Sequence, residues 1–184
     1  MGFLKNLFGN LRQKIAMNDD EMVMHAKDLL RTNNNPALAI NYLENAALRN
    51  HAEAQLILAG IHHDAGKDEE AFYWYKSAAS HGNRDAQFAI GARYQCGMGV
   101  KKNEDAAFEW YKKAADQGHA EAQLSVAMMY DDTTDSPSPL KIKNIPLQER
   151  QSLCVMYLTR AADQGNKKAV DSLKRRISSS LDLI

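Results

Sequence analysis

Cysteine is scarce in this chain: only Cys96 and Cys154 occur among 184 residues. A secreted domain stapled by disulfides carries more, at short and repeated spacings, so that class is excluded. Two distant cysteines also fail to make the close ligand pairs of a zinc site. Net charge is missing as well, with 23 Lys and Arg against 23 Asp and Glu. A protein that grips a phosphate backbone needs a basic excess, so no nucleic-acid partner is expected. No apolar run approaches the roughly 20 residues that cross a bilayer. The opening stretch is interrupted by Lys5, Asn6 and Asn10 and lacks the small-residue cleavage site of a secretory signal. Asn6 also stands where myristoylation at Gly2 needs Ser or Thr. A reducing, cytoplasmic setting is expected. What is abundant is ordinary: 45% hydrophobic and 25% charged residues, the balance of a folded globular chain.

The chain repeats itself. An Ala-Ala pair followed by a turn residue recurs at Ala46-Ala47, Ala78-Ala79, Ala114-Ala115 and Ala161-Ala162, with Asn50, Gly82, Gly118 and Gly165 as the turns. A large ring precedes each pair (Tyr42, Trp74, Trp110, Tyr157), and a small residue precedes the ring (Ala39, Ala71, Ala107, Cys154). These offsets of three, four and seven trace one face of a helix, here termed the B helix. Gly and Asn at its end suit the left-handed residue that closes many helices.

A second helix, the A helix, follows each turn. It opens on Ala54, Ala86, Ala122 and Ala169, and the first three continue with Gln55, Gln87 and Gln123. Small residues follow at Ala59, Gly91 and Ala127, then rings at His62, Tyr94 and Tyr130. Small residues at fixed positions let helices approach closely, and rings fill the space between layers. The opening alanines are 32, 36 and 47 positions apart, so the last interval carries an insertion, residues 131–146. Long structureless loops are either functional or disordered.

The stretch from Ala86 through Val100, followed by Asn103 through Gly118, resembles a Sel-1-like repeat, and the resemblance spans roughly residues 20–178. It implies an all-α, right-handed α-α superhelix of about four helix-turn-helix units with capping helices at both ends. It also implies a tetratricopeptide-related adaptor or scaffold whose A helices line the concave face. The pattern departs at the diverged first A helix, at the first two loops, which lack a Gly-x-Gly-Val turn, and at the insertion. Cysteine-rich relatives linked to β-lactams carry regularly spaced cysteines that are absent here, so that activity is not carried over.

The organisation predicted is an N-terminal amphipathic segment (1–17), the array (18–166) and a C-terminal capping helix with tail (167–184). The apolar stripe Phe3, Leu4, Leu7, Phe8, Leu11 and Ile15 reads as a cap on the array, with a membrane-surface helix or a dimer contact as rivals. Asn18 with Glu21 predicts a helix start, and Asn35-Pro36 another. Ala169, Val170, Leu173 and Ile177 predict the buried stripe of the cap.

Signals that resemble chemistry dissolve on inspection. Gly97-x-Gly99 lacks the strand and third glycine of a dinucleotide site and the Gly-Lys-Ser/Thr of a P-loop, and the repeat explains both glycines as a turn. Adjacent His62 and His63 point about 100° apart on a helix, which does not suit a shared metal. His81 and His119 read as exposed loop residues beside turn glycines. Neither cysteine has a nameable His/Asp partner, and no cofactor, metal or catalytic residue is expected.

The chain is therefore expected to bind a protein through its concave face, as a monomer and without enzymatic activity. Residues at non-repeat positions of the A helices are the candidate contacts: Ile57, Gly60, Ile61 and Asp64; Ala89, Arg93 and Gln95; Ser125, Met128 and Asp132. Arg93 between Asp64 and Asp132 predicts a mixed-charge groove for a peptide helix or the edge of a folded partner. A general adaptor in a bacterial-type cytoplasm leads. An immunity-type protein that blocks a cognate toxin and a membrane-recruited scaffold are the alternatives.

Overall fold

The computed structural model describes residues 17–131 and 140–181, and these are all helix and short turns. In chain order the helices are α1 (Asp19–Arg31), α2 (Pro36–Leu48), α3 (Ala52–Asp64), α4 (Asp68–Ser80), α5 (Arg84–Cys96), α6 (Glu104–Asp116), α7 (Ala120–Tyr130), α8 (Leu140–Lys143), α9 (Leu147–Asp163) and α10 (Lys167–Leu181). The A helices are α1, α3, α5, α7 and α10; the B helices are α2, α4, α6 and α9. Each helix packs chiefly on its neighbours in sequence, with α9 closing back on α7 across the insertion. That is the one-dimensional packing of a solenoid. The segment 1–16 and Asp132 lie outside the described residues.

Local chemistry sets each boundary. Asn18 accepts from the Glu21 amide while Glu21 accepts from the Asn18 amide, the reciprocal box expected at the start of α1. Asn35 caps α2 with Pro36 as its first residue. Asn50, Gly82, Gly118 and Gly165 all close B helices in the left-handed region, at φ of 67°, 88°, 84° and 83°. The next helix is then capped by His51, Asn83, His119 or Asn166, each accepting from the amide three residues on. His119 is thus no exposed loop residue: its side chain is 14% exposed, and its ring stacks on Phe88 at 4.6 Å.

The core lies between A and B layers and is built on fully buried alanines, among them Ala46, Ala54, Ala78, Ala86, Ala114 and Ala122. Their lack of bulk brings backbones close, and larger side chains then fill the remaining gaps. A Cβ on Gly91 would lie 2.5 Å from the Tyr111 ring, so the α5–α6 approach requires that glycine. Between layers the rings follow one register: Phe72 meets Tyr94 edge-on at 5.4 Å, and Phe108 meets Tyr130 at 5.6 Å.

Two expectations change. The described part of the insertion is not all loop, since Leu140–Lys143 is helical and Ile142 is fully buried in the C-terminal core. Ile177 is 59% exposed, whereas Ala169 is buried and Leu173 packs on the core. Arg176 pairs with Asp131 at the end of α7 at 2.6 Å, so Ile177 lies beyond the helix that could cover it. Lys174 is exposed in the register slot where Ala59, Gly91 and Ala127 are buried, which keeps the outer side of α10 solvated.

A candidate protein-binding face on the A helices

Consecutive A helices lie side by side. Lys27 of α1 pairs with Glu53 of α3, Asp85 of α5 lies 3.7 Å from the ring of His119, which caps α7, and Asp131 joins α7 to α10. Counting from the opening alanine, the third and sixth positions stay partly open to solvent in every central A helix. They are Ile57 and Gly60, Ala89 and Ala92, Ser125 and Met128. The result is a strip of small and apolar side chains edged at the helix starts by Glu53, Asp85 and Glu121. Met128 stands out from it at 49% exposure.

The candidate contacts divide on this geometry. Ile57, Gly60, Ala89, Ser125 and Met128 share the strip, and Asp64 is exposed at the end of α3. Ile61, like Ile57, is partly buried and packs against the N-terminal core. The Gln95 side-chain oxygen accepts from the Tyr111 hydroxyl at 2.9 Å. Arg93 does not bridge an open groove. It is 3% exposed and donates to the Asp68 carboxylate at 3.1 Å and to the Asp68 carbonyl at 3.4 Å. Its guanidinium also lies over the Tyr75 ring, 4.9 Å from the centroid. The hydrogen bond from Arg93 holds the Asp68 carboxyl below its ordinary value, against partial desolvation and with help from His63. Arg93 is a latch between the second and third layers, and it leaves the strip short of the cation expected at its centre.

The Gly97-x-Gly99 turn serves the same junction. A Cβ on Gly99 would come within 2.0 Å of the Asp68 carbonyl oxygen, and Gly99 is left-handed at φ 68°. The turn therefore rests directly on the start of α4.

A ladder of glutamines joins the A and B helices. Gln55, Gln87 and Gln123 each donate to the carbonyl of the last buried alanine of the preceding B helix, at 3.0, 3.2 and 3.2 Å. The oxygen of Gln87 accepts from Gln117 at 2.7 Å, and that of Gln123 from Gln164 at 2.8 Å. Gln117 and Gln164 are the C-cap residues of α6 and α9. The C-cap of α4 is His81, whose Nδ1 donates to the Ser77 carbonyl of its own helix at 2.9 Å. The buried Gln55 oxygen is left with no partner among the described residues.

Among the described residues, Asp116 accepts from Lys112 at 2.7 Å and from the Tyr157 hydroxyl at 3.2 Å, an inter-helix tie between α6 and α9. No group of three or more His, Cys, Asp or Glu that could hold a metal occurs among the described residues. A hollow of about 510 Å³, open to solvent, is lined by Gln148, Gln151, Ser152, Val155 and Met156, none of them titratable. No helix among the described residues is long and apolar enough to cross a membrane. Burial raises the phenols of Tyr75, Tyr111, Tyr130 and Tyr157 above their ordinary value of 10.0, as packing does to core rings.

Stacked helix pairs, small-residue columns and inter-helix glutamines define an all-helical repeat solenoid, an architecture commonly used as a protein-interaction scaffold. Comparison with protein families matches the Sel1 repeat at residues 24–51, 52–83, 84–119 and 149–166. The chain belongs to the Sel1 repeat family. Among solved structures it is similar to a Sel1 repeat protein from Oxalobacter formigenes, at 26% identity over 80% of this chain and 57% of that one, with a TM-score of 0.63. It also resembles c5321, a protective antigen present in uropathogenic Escherichia coli strains that displays an SLR fold, at 24% identity over 88% of this chain and 41% of that one, with a TM-score of 0.60. MamA shares the fold at 20% identity over 83% of this chain and 81% of that one, with a TM-score of 0.52. The chain thus spans 57% and 41% of the first two relatives. A search of curated proteins found no match.

Two candidate positions escaped sequence reasoning. Ala92 shares the column of Gly60 and Met128, and Arg175 of α10 extends it. Both follow from continuing the register past the residues that differ most visibly.

Proposed function

We propose that this chain is a non-enzymatic adaptor that binds a protein partner along the A-helix strip, taken as the concave face of the array (18–166, capped by 167–184). One observation carries the reading: Ile57, Gly60, Ala89, Ala92, Ser125 and Met128, all small or apolar, stay partly open to solvent at matching positions of three successive A helices. The small residues at its middle allow a helix or an extended segment to approach closely, and Met128 offers an adaptable apolar contact. Of the earlier candidates, Ile57, Gly60, Ala89, Ser125 and Met128 are retained as contacts, with Asp64 at the rim. Ile61 is retained beside Ile57, while Arg93 and Gln95 support the surface from beneath. The scarcity of cysteine, with only Cys96 and Cys154 in 184 residues, supports a reducing cytoplasm as the working compartment.

The test is affinity capture with the full chain beside Gly60→Arg and Ala89→Arg. Neither glycine conformation nor core packing is at stake at these sites: a Cβ on Gly60 meets nothing within 4 Å. Both variants should keep the wild-type circular dichroism and melting temperature while losing the captured partner. A partner retained by both variants would move binding off the strip.

A further inference from the structure

The last inter-helix groove of the A face, between α7 and α10, has a chemistry of its own. In the position just before the opening alanine, α3, α5 and α7 carry Glu53, Asp85 and Glu121, whereas α10 carries Lys168. Lys167 and Lys168 open α10, and its first turn holds no acid. Cations at a helix N-terminus oppose the macrodipole, so this placement gives α10 no stability. Two positions past the opening alanine, the apolar Leu56, Phe88 and Leu124 give way to Asp171. At the sixth, Gly60, Ala92 and Met128 give way to Arg175. Over its length α10 carries Lys167, Lys168, Lys174, Arg175 and Arg176 against Asp171 alone. Arg176 is engaged by Asp131; Lys168 is exposed, as is Arg175, which donates to the Ser172 hydroxyl at 3.3 Å and the Asp171 carbonyl at 3.4 Å of its own helix.

These residues enclose a groove of about 200 Å³, lined by Leu124, Met128, Lys168, Asp171, Ser172 and Arg175. That is smaller than the roughly 300–1,000 Å³ of small-molecule sites and suits one or two side chains of a peptide. Its wall on α7 is apolar and its wall on α10 is cationic at both ends.

We propose that this groove receives an acidic, leucine-bearing segment of a protein partner, with the apolar side chain against Leu124 and Met128 and flanking carboxylates on Lys168 and Arg175. The inference rests on the A face being the binding surface, and it gives that surface a polarity: apolar contact along the middle layers, anion recognition at the α10 end. Charge complementarity of this kind fixes the direction in which a segment lies.

The experiment uses the full chain and fluorescein-labelled short peptides of alternating leucine and glutamate, with leucine-glutamine and leucine-lysine peptides as controls, read by fluorescence anisotropy. The glutamate peptide should bind most tightly and weaken as salt rises. Lys168→Glu and Arg175→Glu should each weaken it by about five- to ten-fold, in the range of a reversed surface ion pair. Lys101→Glu, an equal charge change at an exposed site outside the groove, should leave it unchanged. Equal binding of the glutamate and glutamine peptides would overturn the proposal, as would equal weakening by Lys101→Glu. Binding sensitive to Ala89→Arg but indifferent to Lys168→Glu and Arg175→Glu would overturn the groove while keeping the A face. Binding indifferent to all of these changes would overturn both.

Discussion

Replacing His81 by Gln should stabilise the protein, and the ladder of glutamines says by how much. Gln87 and Gln123 satisfy both ends of their amides: the nitrogen caps an alanine carbonyl, and the oxygen accepts from Gln117 or Gln164. Gln55, 1% exposed, makes only the first bond, because the C-cap of α4 is a histidine bonded back to Ser77. A buried acceptor without a partner costs about 1–3 kcal/mol. Losing the exposed His81–Ser77 bond subtracts about 0.5–1 kcal/mol. The net gain for His81→Gln is therefore about 1 kcal/mol, which raises Tm by about 2–4 °C in a chain of this size. Urea denaturation should show a higher midpoint with an unchanged slope. The decisive control is Gln55→Met, which keeps the volume and removes the acceptor. In that background His81→Gln should be neutral or slightly destabilising. An equal gain in both backgrounds, or no gain in either, would refute the assignment.

Other outcomes follow from the latch and the turns. Asp68→Ala should lower Tm more than Arg93→Met, because the first strands a buried guanidinium while the second leaves a carboxylate that water reaches. Because the native Asp68 carboxyl lies below its ordinary value of 3.8, the stability from this pair is complete above about pH 4 and is lost as pH falls through the lower native value. Arg93→Met should flatten that part of a Tm-against-pH curve. Gly99→Ala meets the Asp68 carbonyl and a left-handed backbone together and should cost more than about 3 kcal/mol, whereas Gly118→Ala, with open space around it, should cost about 1 kcal/mol by chemical denaturation. Tyr75, Tyr111, Tyr130 and Tyr157 are held protonated by burial, so native stability should fall as pH rises past about 10, with their absorbance change appearing only on unfolding.

Much of this was legible in the sequence because repetition reports on packing. Alanines at fixed offsets named the buried column, and Gly82, Gly118, Gly165 and Asn50 named the left-handed turns. The site was less legible. Arg93 looked free because its partner, Asp68, stands outside the repeating pattern, and periodicity is silent on unique pairs. Its column nonetheless held a warning: Met129, in the same position of the next A helix, is buried. His119 was misjudged from the glycine beside it, although it shares the capping slot of Asn83 and Asn166. Ile142 had no counterpart in any other layer, so nothing periodic could mark it as core.

Packing mainly between successive helices has a mechanical consequence. Such a stack bends as a spring does, by small rotations shared among junctions, and each junction contributes its own compliance. The α4–α5 junction, held by the Arg93 latch and by Gly99 seated on the Asp68 backbone, is the stiff coil. The neighbouring α3–α4 pair lacks the second glutamine bond that α5–α6 and α7–α9 make. A partner lying along several layers selects one curvature from those available, and the softest junction sets how widely it can choose.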